Sequence, residues 1–304
     1  MTLWNNADMR FVLREKPAAS KLSDMRPFRL LVAAGLLEAL LFLAGCQSMT
    51  NYEQPDGPVF TGSSAPMAPV HDGSIKIVTW NIKYGDEIET AIRELSETTE
   101  LADAEVLLLQ EMHAPGVEAI AEALGHNYVY YPASIHTRHD RDFGNAVLSK
   151  WPILSSEKLV LPNANPRNGQ RRIAVMGTLD VAGNAVDVYS VHTETMWMGP
   201  EGRAEQFRSV AEAAESEHDA LGMAAVGGDF NTLTPQGRND LARRFVDAGF
   251  QPALPEETPT FSVAGVGAQT DHLFIRGMEI EASGVWPETK ASDHYPAWTV
   301  VKLP

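Results

Sequence analysis

The run MAAVGGDFNT, residues 223–232, closes an apolar stretch with two glycines, an acid and an amide. In extended chain, residues two apart point to the same side, so Asp229 and Asn231 can face one ligand above a sheet. The same residue types are the commonest turn formers, and taken alone the stretch favours a turn. Six other runs share its pattern. Asn81 ends IVTWN, Glu111 ends LLLQE, Asn145 lies in FGNAVLS and His192 in YSVHTE. Asp271 and His272 precede LFIRG, and Asp293 and His294 precede YPAWTVV. One strand-end acid is ordinarily a solvated rim residue, and one histidine a satisfied structural group. Seven such ends in one chain point to a shared site, because sites in sheet proteins gather where strand ends and loops meet.

Carboxylates and amides without cysteine favour a hard cation, Mg²⁺ or Mn²⁺, over structural zinc. Mg²⁺ binds through one or two carboxylates and keeps its waters, so one Glu and one Asp suffice. A metal, an activating Asp and histidines together suit attack of water on phosphorus. The metal neutralises charge developing on non-bridging oxygens, and histidine serves as general acid or base.

The elements that must position these groups alternate between two periods. IKIVTWNI, EVLLLQE, NYVYYP, NAVLS, MAAVGGDF, HLFIRG, IEASGVW and YPAWTVVKL read as strands. RRIAVMGTLDV and NAVDVYSVHT read as a hairpin over Ala-Gly, with alternation on both arms. EIETAIRELSETT, PGVEAIAEALG, the long GPEGRAEQFRSVAEAAESEHDALG and QGRNDLARRFVDAG have helical spacing, the second opening on Pro and closing on Gly. Strands apolar on both faces, mixed with helices, indicate sheets covered by helices. Pattern alone predicts one mixed α/β domain over 74–304.

The N-terminal region reads differently. In MRPFRLLVAAGLLEALLFLAGC, residues 25–46, two arginines precede an apolar run broken by Glu38, and small residues lead to Cys46, the single cysteine of the chain. This is the outline of a secretory signal, with an apolar run too short to span a membrane comfortably. Its end, LAGC, resembles the bacterial lipobox, which implies a signal peptide over 1–45 and lipidation at Cys46. Residues 1–24 are polar and unpatterned, and read as an upstream start or an extended leader. Residues 46–73 are rich in Pro, Gly and Ser and read as a flexible, lipid-anchored linker. The expected location is the cell envelope, on a bacterial membrane, facing periplasm or exterior.

The motifs WNI(x)₂G, LLLQE, GNAVLS, SVHTE, GGDFNT, TDHLF and ASDHYP resemble, in order, those of the endonuclease/exonuclease/phosphatase family, from about Ile75 to Val301. The resemblance implies a four-layer α/β sandwich of two facing mixed sheets flanked by helices. It also implies a metal-dependent hydrolase of phosphate esters. By the same resemblance Glu111 is the main metal ligand, with Asn81 beside it and Asp293 completing the ion's surroundings. Asp229 orients or deprotonates the attacking water, and Asn231 holds phosphate or water. His294 contacts the scissile phosphate, with Asp271 fixing its tautomer. His192 stabilises or protonates the leaving oxygen, and Asn145 lies on the substrate side. Whether Asp229 or His294 is the base stays open, and His272 reads as structural.

Charge narrows the substrate. The formal net charge is −16, and removing 1–45 takes away six basic and four acidic residues to leave about −18. That balance argues against a general grip on nucleic acid, where Lys and Arg supply most of the affinity. Five arginines cluster in two loops flanking Asn145: Arg138 and Arg141, then Arg167, Arg171 and Arg172. They read either as an anion-binding rim, with Arg172 as a substrate contact, or as partners of nearby acids such as Asp140 and Asp142. The loop TMWMGP sets Met196, Trp197 and Met198 after His192, as packing or as an apolar contact for a lipid or base. The expected activity is a phosphodiesterase or phosphomonoesterase acting as a monomer on a small or lipid-borne ester. A secreted nuclease for DNA or RNA and an inactive envelope binding module are the alternatives.

Overall fold

The computed structural model describes residues 49–70, 73–216, 222–263 and 265–304. The expected leader over 1–45 and the expected lipidation at Cys46 lie outside the described residues. Strands β1 (Phe60–Ser63) and β2 (Ser74–Asn81) lead through a single 3-10 turn, Lys83–Gly85, to helix α1 (Ile88–Glu97). Next come β3 (Val106–Met112), α2 (Ala114–Leu124), β4 (Asn127–His136), β5 (Arg141–Ser149), β6 (Ile153–Val160), β7 (Ile173–Val181) and β8 (Asn184–His192). Helix α3 (Pro200–Ser216), β9 (Met223–Asp229) and α4 (Pro235–Asp247) precede β10 (Gln251–Pro252) and the hairpin of β11 (Phe261–Val263) and β12 (Val266–Ala268). Strands β13 (Asp271–Arg276), β14 (Glu279–Val285) and β15 (Ala297–Lys302) close the chain.

The strands form a seven-stranded sheet, β1-β4-β5-β3-β2-β15-β14, and a six-stranded sheet, β10-β13-β9-β8-β7-β6. Alternation along each strand sorts side chains between two cores. Ile75 and Ile77 of β2 and Val106 and Leu108 of β3 point inward, against Val175, Val188, Ala225 and Leu273 of the other sheet. Val78, Trp80, Leu107 and Leu109 point outward, onto Leu95 of α1 and Val117 and Ile120 of α2. On the far side Tyr189, Val191 and Val226 pack against Phe207 and Val210 of α3 and Leu241 and Phe245 of α4. The result is the four-layer α/β sandwich.

Topology brings the chemical groups to one edge. Strands β2 and β3 run parallel, as do β8 and β9, so Asn81, Glu111, His192 and Asp229 finish at the same end of the sandwich. Strand β13 runs antiparallel to β9, with Asp271 opposite Asp229, and β15 antiparallel to β2, so the segments preceding them start from that end. Buried polar ties hold the two sheets together beneath it. Gln110 Nε2 donates to Ser190 Oγ at 3.0 Å, and Ser190 Oγ donates to the Leu109 carbonyl at 2.9 Å.

Two features depart from the sequence reading. Strand β6, on the edge of its sheet, has a single buried residue, and β10, β11 and β12 are two or three residues long, so none of them carries a clear apolar pattern. The linker 46–73 is a free tether only in part. Asn51 bridges Ser134, β1 pairs with β4, and the buried Lys158 ammonium donates to the carbonyls of Tyr52 (3.0 Å) and Gly57 (2.7 Å). Backbone carbonyls and ladder bonds hold this arm, and neither leaves an apolar signature in sequence.

Two predictions concern stability. A Cβ on Gly228 would stand 1.9 Å from the Val191 carbonyl oxygen, inside the β8–β9 ladder. Gly228→Ala therefore forces the backbones apart and is expected to cost more than about 3 kcal/mol by urea unfolding. His126, far from the strand-end groups, is pushed down to about 4, chiefly by burial and then by Lys150. The unfolded chain takes up this proton at the ordinary value of 6.5 while the folded chain refuses it. Stability is thus full above pH 6.5 and falls from there towards pH 4, by on the order of 3 kcal/mol. Urea midpoints of His126→Asn should show a flatter acid limb than the parent.

Candidate active site

Asp229 sits at the centre of the converging strand ends, with 2% of its surface exposed. Its Oδ1 accepts from the Asn231 backbone N–H at 2.8 Å. Its Oδ2 accepts from Asn81 Nδ2 (3.1 Å) and Asn231 Nδ2 (3.3 Å). His192 Nε2 and His294 Nε2 approach the same oxygen at 3.5 and 3.8 Å. Asn231 reaches back because it takes the left-handed conformation, φ 51°, and its amide also donates to the Thr193 carbonyl at 3.0 Å. The spacing of Asp229 and Asn231 is therefore both a turn and a site: the turn aims both side chains.

Glu111 lies one amide away. Asn81 Nδ2 donates to Glu111 Oε1 at 3.3 Å as well as to Asp229, so a single nitrogen spans the two carboxylates. The Tyr84 backbone N–H holds Glu111 Oε2 at 3.1 Å. Glu111 reaches this place through a β-bulge between Leu109 and Met112, where its own φ is +60°. A non-glycine residue in that region is costly and persists where its surroundings fix it.

The two histidines have opposite partners. His294 Nδ1 lies 2.9 Å from Asp271 Oδ2. Burial works to depress the His294 pKa, but Asp271, Asp229 and Glu111 outweigh it and push it up to about 10. Burial pushes Asp229 up to about 7, the His294 charge opposing and Asp271 and Glu111 adding to the rise. In this buried pair the imidazole binds its proton more tightly than the carboxylate does, and three N–H donors oppose the rise that burial imposes on Asp229. His192 is held well below the usual imidazole range, by burial first and then by Arg172, whose Nη1 lies 3.2 Å from His192 Nδ1.

Other expected residues take different places. Asn145 donates both amide hydrogens across the sandwich, to the carbonyls of Ile173 (3.1 Å) and Ser190 (3.0 Å), and so ties the sheets. Arg172, expected on the substrate rim, is instead buried between His192 and Glu194, with Nε 3.4 Å from Glu194 Oε2. Asp293 is half-buried, with Oδ2 3.4 Å from Lys83 Nζ. Asn81 presents N–H groups to both carboxylates and so clamps them together, while its Oδ1 accepts from the Lys83 N–H. His272 donates from Nε2 to Thr232 Oγ1 at 2.7 Å, because that hydroxyl already gives its proton to the Gln269 carbonyl. Among the other arginines, Arg141 pairs with Asp86, Arg171 with Glu53, and Arg167 stacks 3.2 Å over the Trp197 ring. Sequence reading missed Glu194, although it stands two residues after His192 in the quoted SVHTE.

Residues 78–294 match the Endonuclease/Exonuclease/phosphatase family. The chain belongs to this family. Solved structures share its fold. A family protein from Beutenbergia cavernae is 21% identical over 76% of this chain and 72% of that one, with a TM-score of 0.61. TDP2 of D. rerio, complexed with a single strand DNA product, is 17% identical over 76% and 100%, at 0.62. Sphingomyelinase C of Streptomyces griseocarneus is 17% identical over 76% and 99%, at 0.54. No curated protein matches the chain. Membership makes this protein a metal-dependent hydrolase of phosphate ester bonds.

The residues present fit a divalent cation. Asp229, Asp271 and His294 hold ligand atoms within 4.8 Å of one another. The Asp271–His294 contact is already spent as a hydrogen bond, whereas Glu111 meets only N–H donors and keeps lone pairs for a metal. Carboxylate oxygens and no thiolate make a hard donor set. Asp271→Asn keeps the shape of the pair but removes the charge on His294. It is expected to lower kcat on an aryl phosphodiester by about 10²–10⁴-fold, with the melting temperature changed by less than about 5 °C.

Proposed function

We propose that this protein is a Mg²⁺-dependent phosphoesterase of the cell envelope, acting on a small or lipid-borne phosphate ester. The observation that carries the reading is the convergence on Asp229 Oδ2 of two amides and two imidazoles, with Glu111 one amide away. A bound Mg²⁺ at Glu111, with Asp229 and Asp293 nearby in the chain's site, would neutralise charge on the non-bridging phosphate oxygens. The protein's own groups do the rest. Asp229, raised by burial toward the range of a general base and oriented by N–H donors, positions the attacking water and takes its proton. Asn231 fixes that carboxylate and faces the same space. His294, charged by its pairing with Asp271, offers Nε2–H to the phosphate or to the departing oxygen.

The rim supports the substrate class. Three of the five loop arginines are engaged by Asp86, Glu53 and Glu194, which leaves little cationic surface for a long polyanion. On the loop that follows His192, Met196 and Trp197 are exposed while Met198 is buried. An exposed aromatic with an arginine stacked on it suits an apolar or flat group attached to the phosphate. Anchoring through Cys46 would hold the enzyme at a membrane outside the cytoplasm, with Mg²⁺ as the abundant hard cation.

The test is a panel of sphingomyelin, phospholipids, nucleotides, aryl phosphodiesters, RNA and plasmid DNA, with protein beginning at Ser48 so that the docked arm is kept. Chelation is expected to abolish turnover, Mg²⁺ to restore it, and Asp229→Ala to lower it by at least about 10³-fold. Small or lipid esters should exceed duplex DNA in kcat/KM. Faster cleavage of the plasmid would favour the nuclease reading, and turnover indifferent to chelation would remove the metal mechanism. Cys46→Ser in the full chain should move the protein from the membrane to the soluble fraction.

A further inference from the structure

His192 is the buried imidazole to which the hydrolytic scheme assigns no step. Its Nδ1 faces Arg172 Nη1 at 3.2 Å, and its Nε2 faces the carboxylates of Asp229 and Glu111 at 3.5 and 3.9 Å. A guanidinium has donors only, so Nδ1 must accept and the ring proton must sit on Nε2. The arginine is itself held. Its Nε meets Glu194 Oε2 at 3.4 Å, its guanidinium lies 5.4 Å from the Phe143 ring centre, and Phe143 lies 5.9 Å from His192. Glu194 is fully buried, and its Oε1 takes three further donors, from Asn165 Nδ2 and from the Thr195 N–H and hydroxyl.

We propose that Glu194 and Arg172 are positioning residues that lock His192 as an uncharged Nε2–H donor, so that the two active-site imidazoles divide the chemistry. His294 has a carboxylate behind it, carries the mobile proton and can give it away. His192 has a cation behind it and donates a hydrogen bond without releasing a proton, since release would leave an imidazolate. In the hydrolysis, water adds at phosphorus and gives its proton to Asp229, the ester P–O bond breaks, and the departing oxygen takes its proton from His294. His192 holds the oxygen that gains charge. A carboxylate behind both rings would favour two imidazolium ions in one buried site, whereas Arg172, its own charge paired with Glu194, favours a neutral His192. The N-terminal arm joins the same device: Asn51 Oδ1 accepts from the Arg171 N–H at 2.9 Å and its Nδ2 donates to the Gly169 carbonyl at 2.8 Å, fixing the loop that carries Arg172.

This inference rests on the phosphoesterase reading, but its first test does not need turnover. Long-range ¹H–¹⁵N spectra of the metal-free protein should show His192 with an unprotonated Nδ1 and a protonated Nε2 at pH 7. A proton on Nδ1 would overturn the proposal whatever the activity. With an aryl phosphodiester and Mg²⁺, Arg172→Ala should lower kcat about 10²-fold with KM within about threefold. Added guanidinium should restore at least about tenfold of that loss and give nothing to His192→Ala. Glu194→Gln, which keeps the shape of the support, should show an intermediate loss of kcat and weaker tautomer order at His192. A raised KM with kcat intact in Arg172→Ala would show that the arginine binds substrate phosphate instead, and would sink the proposal while leaving the phosphoesterase reading standing. No turnover by the parent protein, with the His192 spectrum as expected, would sink that reading and leave the lock.

Discussion

At the end of β9 there is no room for a side chain. A Cβ on Gly227 would press on Leu108, Leu273 and Thr79 at 2.8 to 3.0 Å, and one on Gly228 would enter the β8 backbone. The bare Gly227 lets the two sheets approach, and the bare Gly228 lets β9 lie close to β8, so the strand ends reach one small volume. Asn81 comes from one sheet and Asp229 from the other, and a single amide nitrogen touches the carboxylates of both. Spread the sheets by the width of a methyl group and the amide no longer spans them. The two glycines before the acid are therefore part of the chemistry, although neither has a side chain to contribute.

Burial at that meeting point sets the electrostatics. Charges there are poorly solvated, so each is tolerated only with partners. Burial pushes Asp229 toward its protonated form, and three N–H donors and the His294 charge oppose that push. The two imidazoles lie against the same carboxylate oxygen, yet the group behind each ring differs in sign: Asp271 for one, Arg172 for the other. Like residues thereby become unlike reagents, the same logic by which paired carboxylates are driven to separate roles elsewhere.

The arm before β2 extends this economy of support. A segment rich in Pro, Gly and Ser is docked through backbone groups, a buried lysine and Asn51 onto the loop that carries Arg171 and Arg172. It helps to scaffold the site as well as to lead toward Cys46. Arg167, on the same loop as Arg171 and Arg172, stacks over the exposed Trp197 of the loop that follows β8.

Much of the architecture was legible along the chain. Alternation between inward and outward residues in IKIVTW and EVLLL specifies strands buried on both faces, and the caps around PGVEAIAEALG specify a helix, because these patterns reflect local geometry. The candidate chemistry was legible for the same reason: polar residues closing apolar runs stand out one segment at a time. What only the tertiary structure decided is which of those residues face each other and which face away. Asn145 ties the sheets through its amide hydrogens, Arg172 turns inward to His192, and Glu194 enters as its support. Those outcomes depend on distances between segments far apart in sequence, set by sheet order and by the closeness of two backbones, and no local pattern encodes them.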